Sequence, residues 1–278
     1  MATVRIIGPG RAGMSVASAL VAAGHEIVGF VSSGDDPSDA ASGVDVLVIA
    51  VPDRRIAEVA RTVRPVDTTC VLHLSGSQGL EVLAPHVRRG SMHPLIPLPN
   101  PEVGAARLAA GVTFAVAGDH AAGELATSIG GRIVTVRDEN RAAYHAAACI
   151  AANHVVALMG QVERVASEIG LDLDVFLGLA RAALADVEAL GPSAALTGPA
   201  ARGDLATLAR HRAALAPDEL AGYDACAALA RRVALKGAAG PLVTPDEVPD
   251  VLTAGVVKAG STTQGRLAPG ELAAVEVA

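Results

Sequence analysis

Between Thr3 and Leu20 the chain reads TVRIIGPGRAGMSVASAL, a strand-like run that stops at a glycine and restarts as an alanine-rich helical pattern. Val4, Ile6 and Ile7 are β-branched, and Gly8, Gly10 and Gly13 then fall at the G-x-G-x-x-G spacing. In this motif the first glycine permits the tight turn, the second lets main chain approach a pyrophosphate, and the third lets helix lie against strand. The N–H groups at such a helix start favour an anion. The spacing alone is a weak signal in a chain with 29 glycines. Its context is stronger, because a strand precedes it and a helix, Gly24 and a second strand follow. The expected cofactor loop is Gly8, Pro9, Gly10, Arg11, Ala12 and Gly13.

Composition narrows the function classes. A net charge of −7 and the absence of Trp argue against a nucleic-acid surface, which needs a basic patch and stacking aromatics. Cys70, Cys149 and Cys226 are odd in number and lack metal-like spacing, which suits a reducing, cytoplasmic setting without disulfides. The first strand starts within three residues of Met1, so no signal peptide is expected. Ala142 to Met159 is nearly uncharged and about as long as a membrane span, but its Tyr, His and Asn residues favour a buried central helix. No nucleic acid or membrane partner is expected.

Further strands are expected at His25–Val31, Asp45–Val51, Thr69–Leu74, Val112–Ala117 and Ile133–Val136, alternating with helices. This alternation predicts an α/β Rossmann-type doubly wound parallel sheet over residues 1–137. The segment Ser91–Pro101, with Pro94, Pro97 and Pro99, reads as an extended loop, and Leu80–Val87 reads as a helix before it. From Asp138 to residue 239 the pattern is all-helical, with blocks near 139–169, 173–190, 203–215 and 217–237. Residues 240–278 read as an irregular tail.

Ligands of such sheets bind beyond the carboxyl ends of the strands. Val51, Pro52 and Asp53, together with Ser75 and Gly76, are therefore expected beside the nicotinamide. Ser32 and Ser33 stand where NAD-preferring folds commonly carry an acidic residue, so NADP is preferred, with NAD possible because Asp35 and Asp36 are near.

Hydride transfer needs a placed cofactor, a substrate anchor and a proton donor. His145, Cys149 and Asn153 recur at four-residue intervals and so trace one helical ridge, offering His145 and Asn153 to the cleft or to core hydrogen bonds. His93, with Ser91 two residues earlier, suits carboxylate binding or proton transfer, while His73 inside an apolar strand reads as structural. His73, His86 and His93 form no recognisable ligand set, so no metal is expected. In LTGPAARGD, residues 196–204, Thr197 and Arg202 are candidate substrate contacts and Asp204 a helix cap.

GPGRAG, HLSGSQGLEVLAP (73–85), SMHPL, AAYHAAACIAANHVVAL (142–158) and LTGPAARGD together resemble the bacterial Rossmann-like proteins whose second domain is domain of unknown function 2520. The resemblance spans about residues 3–236. That family is similar in layout to ketopantoate reductases, pyrroline-5-carboxylate reductases and prephenate dehydrogenases, with a helical domain like the C-terminal one of 6-phosphogluconate dehydrogenase. It implies NAD(P)-linked redox chemistry on a small carboxylate, and often a homodimer through the helical domain. His93 matches the His-Pro pair near the substrate in prephenate dehydrogenase-like proteins. The helix lysine of several relatives is replaced here by Cys149, four residues before Asn153, so the resemblance assigns no proton donor.

The expected activity is therefore NADP-linked reduction of C=O or C=N beside a carboxylate, with ketopantoate the leading substrate. His145 is the expected proton donor, Asn153 and Ser75 orient the substrate, and His93 or Arg202 binds its carboxylate. Alternatives are a pyrroline-carboxylate-like imine reductase and a dinucleotide-binding sensor without turnover.

Overall fold

In the computed structural model, which describes residues 1–237, the N-terminal run is β1 (Thr3–Ile7) followed by α1 (Arg11–Ala22). The sheet continues through β2 (Glu26–Val31), β3 (Val46–Ile49), α2 (Asp53–Thr62) and β4 (Cys70–His73). It is completed by β5 (Arg89–Pro94), α3 (Pro101–Ala109), β6 (Thr113–Gly118), α4 (His120–Ser128) and β7 (Arg132–Thr135). Strand order is β2-β1-β3-β4-β5-β6-β7. The chain crosses from β2 over β1 to reach β3, so the topological switch lies between β1 and β3, beside the glycine turn.

The sequence pattern sets the layers. Val46 and Val48 of β3 belong to the core on one face of the sheet, with Val16 and Leu20 of α1 and Leu125 of α4. Leu47 and Ile49 belong to the other, with Ile56 and Val59 of α2. An unbroken apolar run buried on both faces is what a central parallel strand requires, and each such side chain contributes about 1.5–3 kcal/mol.

Three details differ from expectation. The sheet is parallel except at β5–β6, which pair antiparallel. Ser91 to Pro94 is not loop: it lies in β5, where Pro94 closes the strand and Asn100 caps α3 with Pro101 in its first turn. The helix expected at Leu80–Val87 shrinks to a 3-10 turn, Leu80–Leu83.

The chain divides after Ala157 into two compact units. That division falls later than Asp138, where the strand pattern ends, because Arg141 and Tyr144 bond to residues of the sheet. Helix α5 (Arg141–Cys149) passes through a π-helical turn, Ile150–His154, into α6 (Val155–Glu168). The ridge inferred from four-residue spacing is thereby broken beyond Cys149, since a π turn advances the chain differently from an α turn. The run Asp138–Glu168 is long and apolar enough to cross a membrane by length and composition. None of its apolar window is buried within the chain, which corrects the expectation of a buried central helix.

The second unit, from Leu158, contains most of α6 and then α7 (Asp174–Leu190), α8 (Pro192–Ala195), α9 (Pro199–Arg202), α10 (Leu205–Ala214) and α11 (Leu220–Gly237). Gly191 ends α7 at φ 77°, as a glycine stop should. Asp204 caps α10 through the Thr207 N–H at 3.0 Å. Glu219, buried, is held by Arg164 and by Gln161, whose amide donates to its carbonyl at 2.8 Å. The tail expected at 240–278 lies outside the described residues.

Candidate active site

The glycine turn meets each requirement of a pyrophosphate cradle separately. Gly8 has φ +95°, and a Cβ there would come within 2.6 Å of the Ala50 carbonyl oxygen. A Cβ on Gly13 would lie 2.2 Å from the Gly8 carbonyl oxygen, so helix and turn touch backbone to backbone. A Cβ on Gly10 would meet nothing within 4 Å. This middle position borders open space, and α1 begins there with no side-chain cap and no acidic residue in its first turn. Unsatisfied N–H groups and the helix dipole at an open mouth suit a dinucleotide's phosphates. Arg11 is exposed beside them.

Beyond β2, Asp35 Oδ2 accepts the Ser32 N–H at 2.7 Å, and Asp36 accepts the Ser38 N–H and hydroxyl at 2.9 Å each. Those two Ser38 bonds hold the Asp36 carboxyl below the usual range. Both carboxylates are thus engaged within their own loop, with Ser33 exposed between.

Across the sheet edge, Asp53, the first residue of α2, gathers two hydroxyls: Ser75 Oγ and Ser77 Oγ each donate to its Oδ2 at 2.7 Å. Ser75 Oγ in turn accepts N–H bonds from Ser77 and Gln78 at 3.2 and 3.1 Å. Its hydroxyl is saturated by the loop it organises. Val51 is half-buried and Pro52 exposed beside it.

Gly76 is the meeting point of two imidazoles. A Cβ there would lie 2.8 Å from His93 Cε1 and 2.9 Å from His145 Cδ2. The His93 and His145 rings are 6.2 Å apart at 72°. His93 Nδ1 is bonded to the Tyr144 phenol at 2.7 Å. Burial first, then the charges of His145 and Arg141, lower the His93 pKa to about 4, so the ring is neutral at neutral pH. Burial raises that of Tyr144, which keeps its proton.

Arg141, one of the most deeply buried side chains, underlies this group. It donates to Ser91 Oγ, to the Ser75 carbonyl at 3.5 Å and to Asp138 Oδ1 at 3.1 Å. Asp138 Oδ2 also accepts the Leu80 N–H at 2.8 Å. His73, fully buried, donates from Nε2 to the Gly79 carbonyl at 3.3 Å and accepts the Ser75 N–H on Nδ1 at 3.2 Å. Burial lowers its pKa to about 4, in keeping with the structural role read from its strand position.

Of the sequence candidates, the fold brings together Asp53, Ser75, Gly76, His93 and His145. Ser91 is fully buried, its hydroxyl taken by Arg141. Asn153 is exposed within the π turn. Thr197 and Arg202 are exposed in the second unit, between α8 and α9 and at the end of α9. Arg141 and Tyr144 escaped the sequence reading. The available signal was that Arg141 is an isolated charge at the head of a nearly uncharged run, three residues after Asp138. No group of His, Cys, Asp and Glu able to hold a metal occurs among the described residues. A cavity of about 570 Å³ lies at the opposite, amino edge of the sheet, around His25, Asp45, Arg88 and His120.

Residues 31–99 match the model of a Rossmann-like domain, and residues 110–230 match domain of unknown function 2520. The chain joins a Rossmann-like domain to a DUF2520 domain. The DUF2520 match begins ahead of β6, so it takes in the last two strands of the sheet as well as most of the helices. This Rossmann–DUF2520 chain is similar in fold to protein TM1727 from Thermotoga maritima, with 22% identity over 84% of this chain and 98% of that one and a TM-score of 0.66. The reductive aminase of Aspergillus terreus, in complex with NADPH and ethyl levulinate, gives 15% identity, 85% and 95% coverage and 0.60. Plasmodium falciparum pyrroline carboxylate reductase, with NADP bound, gives 10%, 84% and 98%, and 0.55. None of the curated proteins searched matches the chain.

Proposed function

We propose that this protein is an NADP-linked reductase of a C=O or C=N bond in a small carboxylate-bearing metabolite, with ketopantoate the leading substrate. The observation that carries the reading is the bare mouth of α1 beside Gly10, on the same sheet edge as His93, His145 and Tyr144. Gly8 to Gly13 would hold the pyrophosphate, and Ser32 and Ser33 would border the 2′-position. A reduced nicotinamide supplies hydride when bound. The engagement of Asp35 and Asp36 within their loop supports NADP over NAD, since neither carboxylate is presented as the sole partner for a ribose hydroxyl. The NADP-bound fold neighbours support the same preference.

His145 and His93 are the two candidate proton donors of the group, and Cys149 Sγ lies 3.9 Å from the His145 ring nitrogens. His93, neutral at neutral pH, is suited to proton transfer more than to pairing with a carboxylate. Arg202 remains the candidate carboxylate anchor. A homodimer through the helical region accounts for Val156, Leu158, Val175, Leu179 and Leu184, all exposed in the single chain.

Following NADPH absorbance with ketopantoate in the native protein and in His145→Ala tests the reading. Turnover that falls in the variant supports it. Equal slow rates in both would remove His145 as donor. NADPH binding without turnover across keto acids and imines would favour the sensor.

A further inference from the structure

We propose that the Tyr144–His93 pair presents only a hydrogen-bond donor to the substrate, which selects a carbonyl over an iminium and makes His93 Nε2 its proton source. This rests on the reductase reading and decides between its two bond classes.

The argument is one of hydrogen-bond polarity. His93 Nδ1 and the Tyr144 hydroxyl share one proton across 2.7 Å. A phenol is a far stronger acid than a neutral imidazole N–H, so the favourable arrangement has the phenol donating to Nδ1. The Arg141 charge acts on both partners, making the Tyr144 hydroxyl more acidic and the His93 ring less basic, so the greater acidity of the phenol sets the direction. The ring then carries its hydrogen on Nε2. That nitrogen has no hydrogen-bond partner among the described residues and is not among the sealed unpaired polar atoms, His86 Nδ1 and Asp224 Oδ1. The groups facing the ring are His145, Arg141, Asp53 and His73 together with Tyr144. Gly76 offers no side chain to come between the rings.

An N–H donor matches a carbonyl oxygen, whose negative charge grows as hydride arrives. A protonated imine is itself an N–H donor and carries positive charge. It would need an acceptor where this pair offers a hydrogen. In the carbonyl case the carbon gains hydride, the C=O π pair becomes an oxygen lone pair, and that oxygen takes the Nε2 proton. The phenolic proton moves to Nδ1 as the Nε2 proton leaves; it then returns to the phenolate as Nε2 takes a proton from solvent, which resets the pair. Carbonyl, hydride and proton sum to the alcohol, with the nicotinamide oxidised.

The test is the ¹⁵N spectrum of the histidine side chains of the full chain at pH 7, with and without NADP⁺, using His93→Gln to assign the signals and Tyr144→Phe as the comparison. The expected result is a neutral His93 in the Nε2–H form, with Nδ1 shifting when Tyr144 loses its hydroxyl. An Nδ1–H form, an imidazolium, or a spectrum unaffected by Tyr144→Phe overturns the inference. A second arm compares NADPH oxidation on ketopantoate and on pyrroline-5-carboxylate. A faster carbonyl reaction, with kcat lowered at least about tenfold by Tyr144→Phe at little change in KM, supports it. A faster imine reaction overturns it. If calorimetry shows no NADPH binding, the reductase reading fails and the substrate assignment with it. NADPH binding with the wrong tautomer removes this inference alone.

Discussion

At Gly8–Arg11 the carboxyl edge of the sheet is made of main chain, whereas two strands away, around Gly76, it is made of side chains that crowd against a glycine. In the first region Gly10 faces open space and α1 starts uncapped. In the second, His93 and His145 lie where a Cβ of Gly76 would be, and Arg141, Ser91, Ser75 and Asp53 are bonded beneath them. The same residue type thus does two jobs, leaving room for a ligand in one place and for the protein's own rings in the other. A site that recognises phosphate through N–H groups tolerates many neighbouring sequences. One that orders protons through buried side chains depends on each of them.

Substitutions at the glycines break this contrast most sharply. Gly13→Val puts a branched side chain against the Gly8 carbonyl, a backbone atom that cannot yield. A loss of about 4 kcal/mol or more in urea unfolding is expected. Gly10→Ala, by contrast, should leave stability within about 0.5 kcal/mol while weakening NADPH binding, the smallest stability effect of the series.

Between these extremes fall tests of the crowded region. Arg141→Leu keeps apolar volume but strands the Ser91 hydroxyl, the Ser75 carbonyl and the Asp138 carboxylate. Since Asp138 is partly exposed, the expected loss is about 2–3 kcal/mol by chemical denaturation, short of that for a fully buried ion pair. Acid then probes the imidazoles. His73 and His93 have folded pKa values near 4, below the unfolded value of 6.5. Between those limits the unfolded chain binds more protons, so stability should fall as pH drops from about 6.5 to about 4 and level off below. Each ring contributes on the order of 3 kcal/mol to the drop. His73→Asn should flatten part of that slope in a series of melting curves.

The same contrast explains what could be read from sequence. The glycine turn is local, and its three positions carry distinct steric demands, so GPGRAG sufficed to place β1, the turn and α1. The parallel core strands were legible because Val46–Ile49 and Cys70–Leu72 are apolar on both faces. The second region closes over distance: Arg141 reaches Ser91 fifty residues away, and Tyr144 reaches His93 across fifty-one. No spacing rule announces such pairs. Strand β5 was hidden by its prolines, because Pro94 sits at its end and Pro97 and Pro99 lie just beyond. The π turn at Ile150–His154 has no marker in an alanine-rich helix, and it undid the ridge drawn through Asn153.

Calorimetric titration of the intact protein with NADPH, beside Gly10→Val, most directly tests the claim that α1 receives a dinucleotide at its bare mouth. Saturable binding by the native protein, lost or weakened at least about tenfold in a variant whose melting temperature is unchanged, is the predicted result. No binding to the native protein, or equal binding to both, would contradict it.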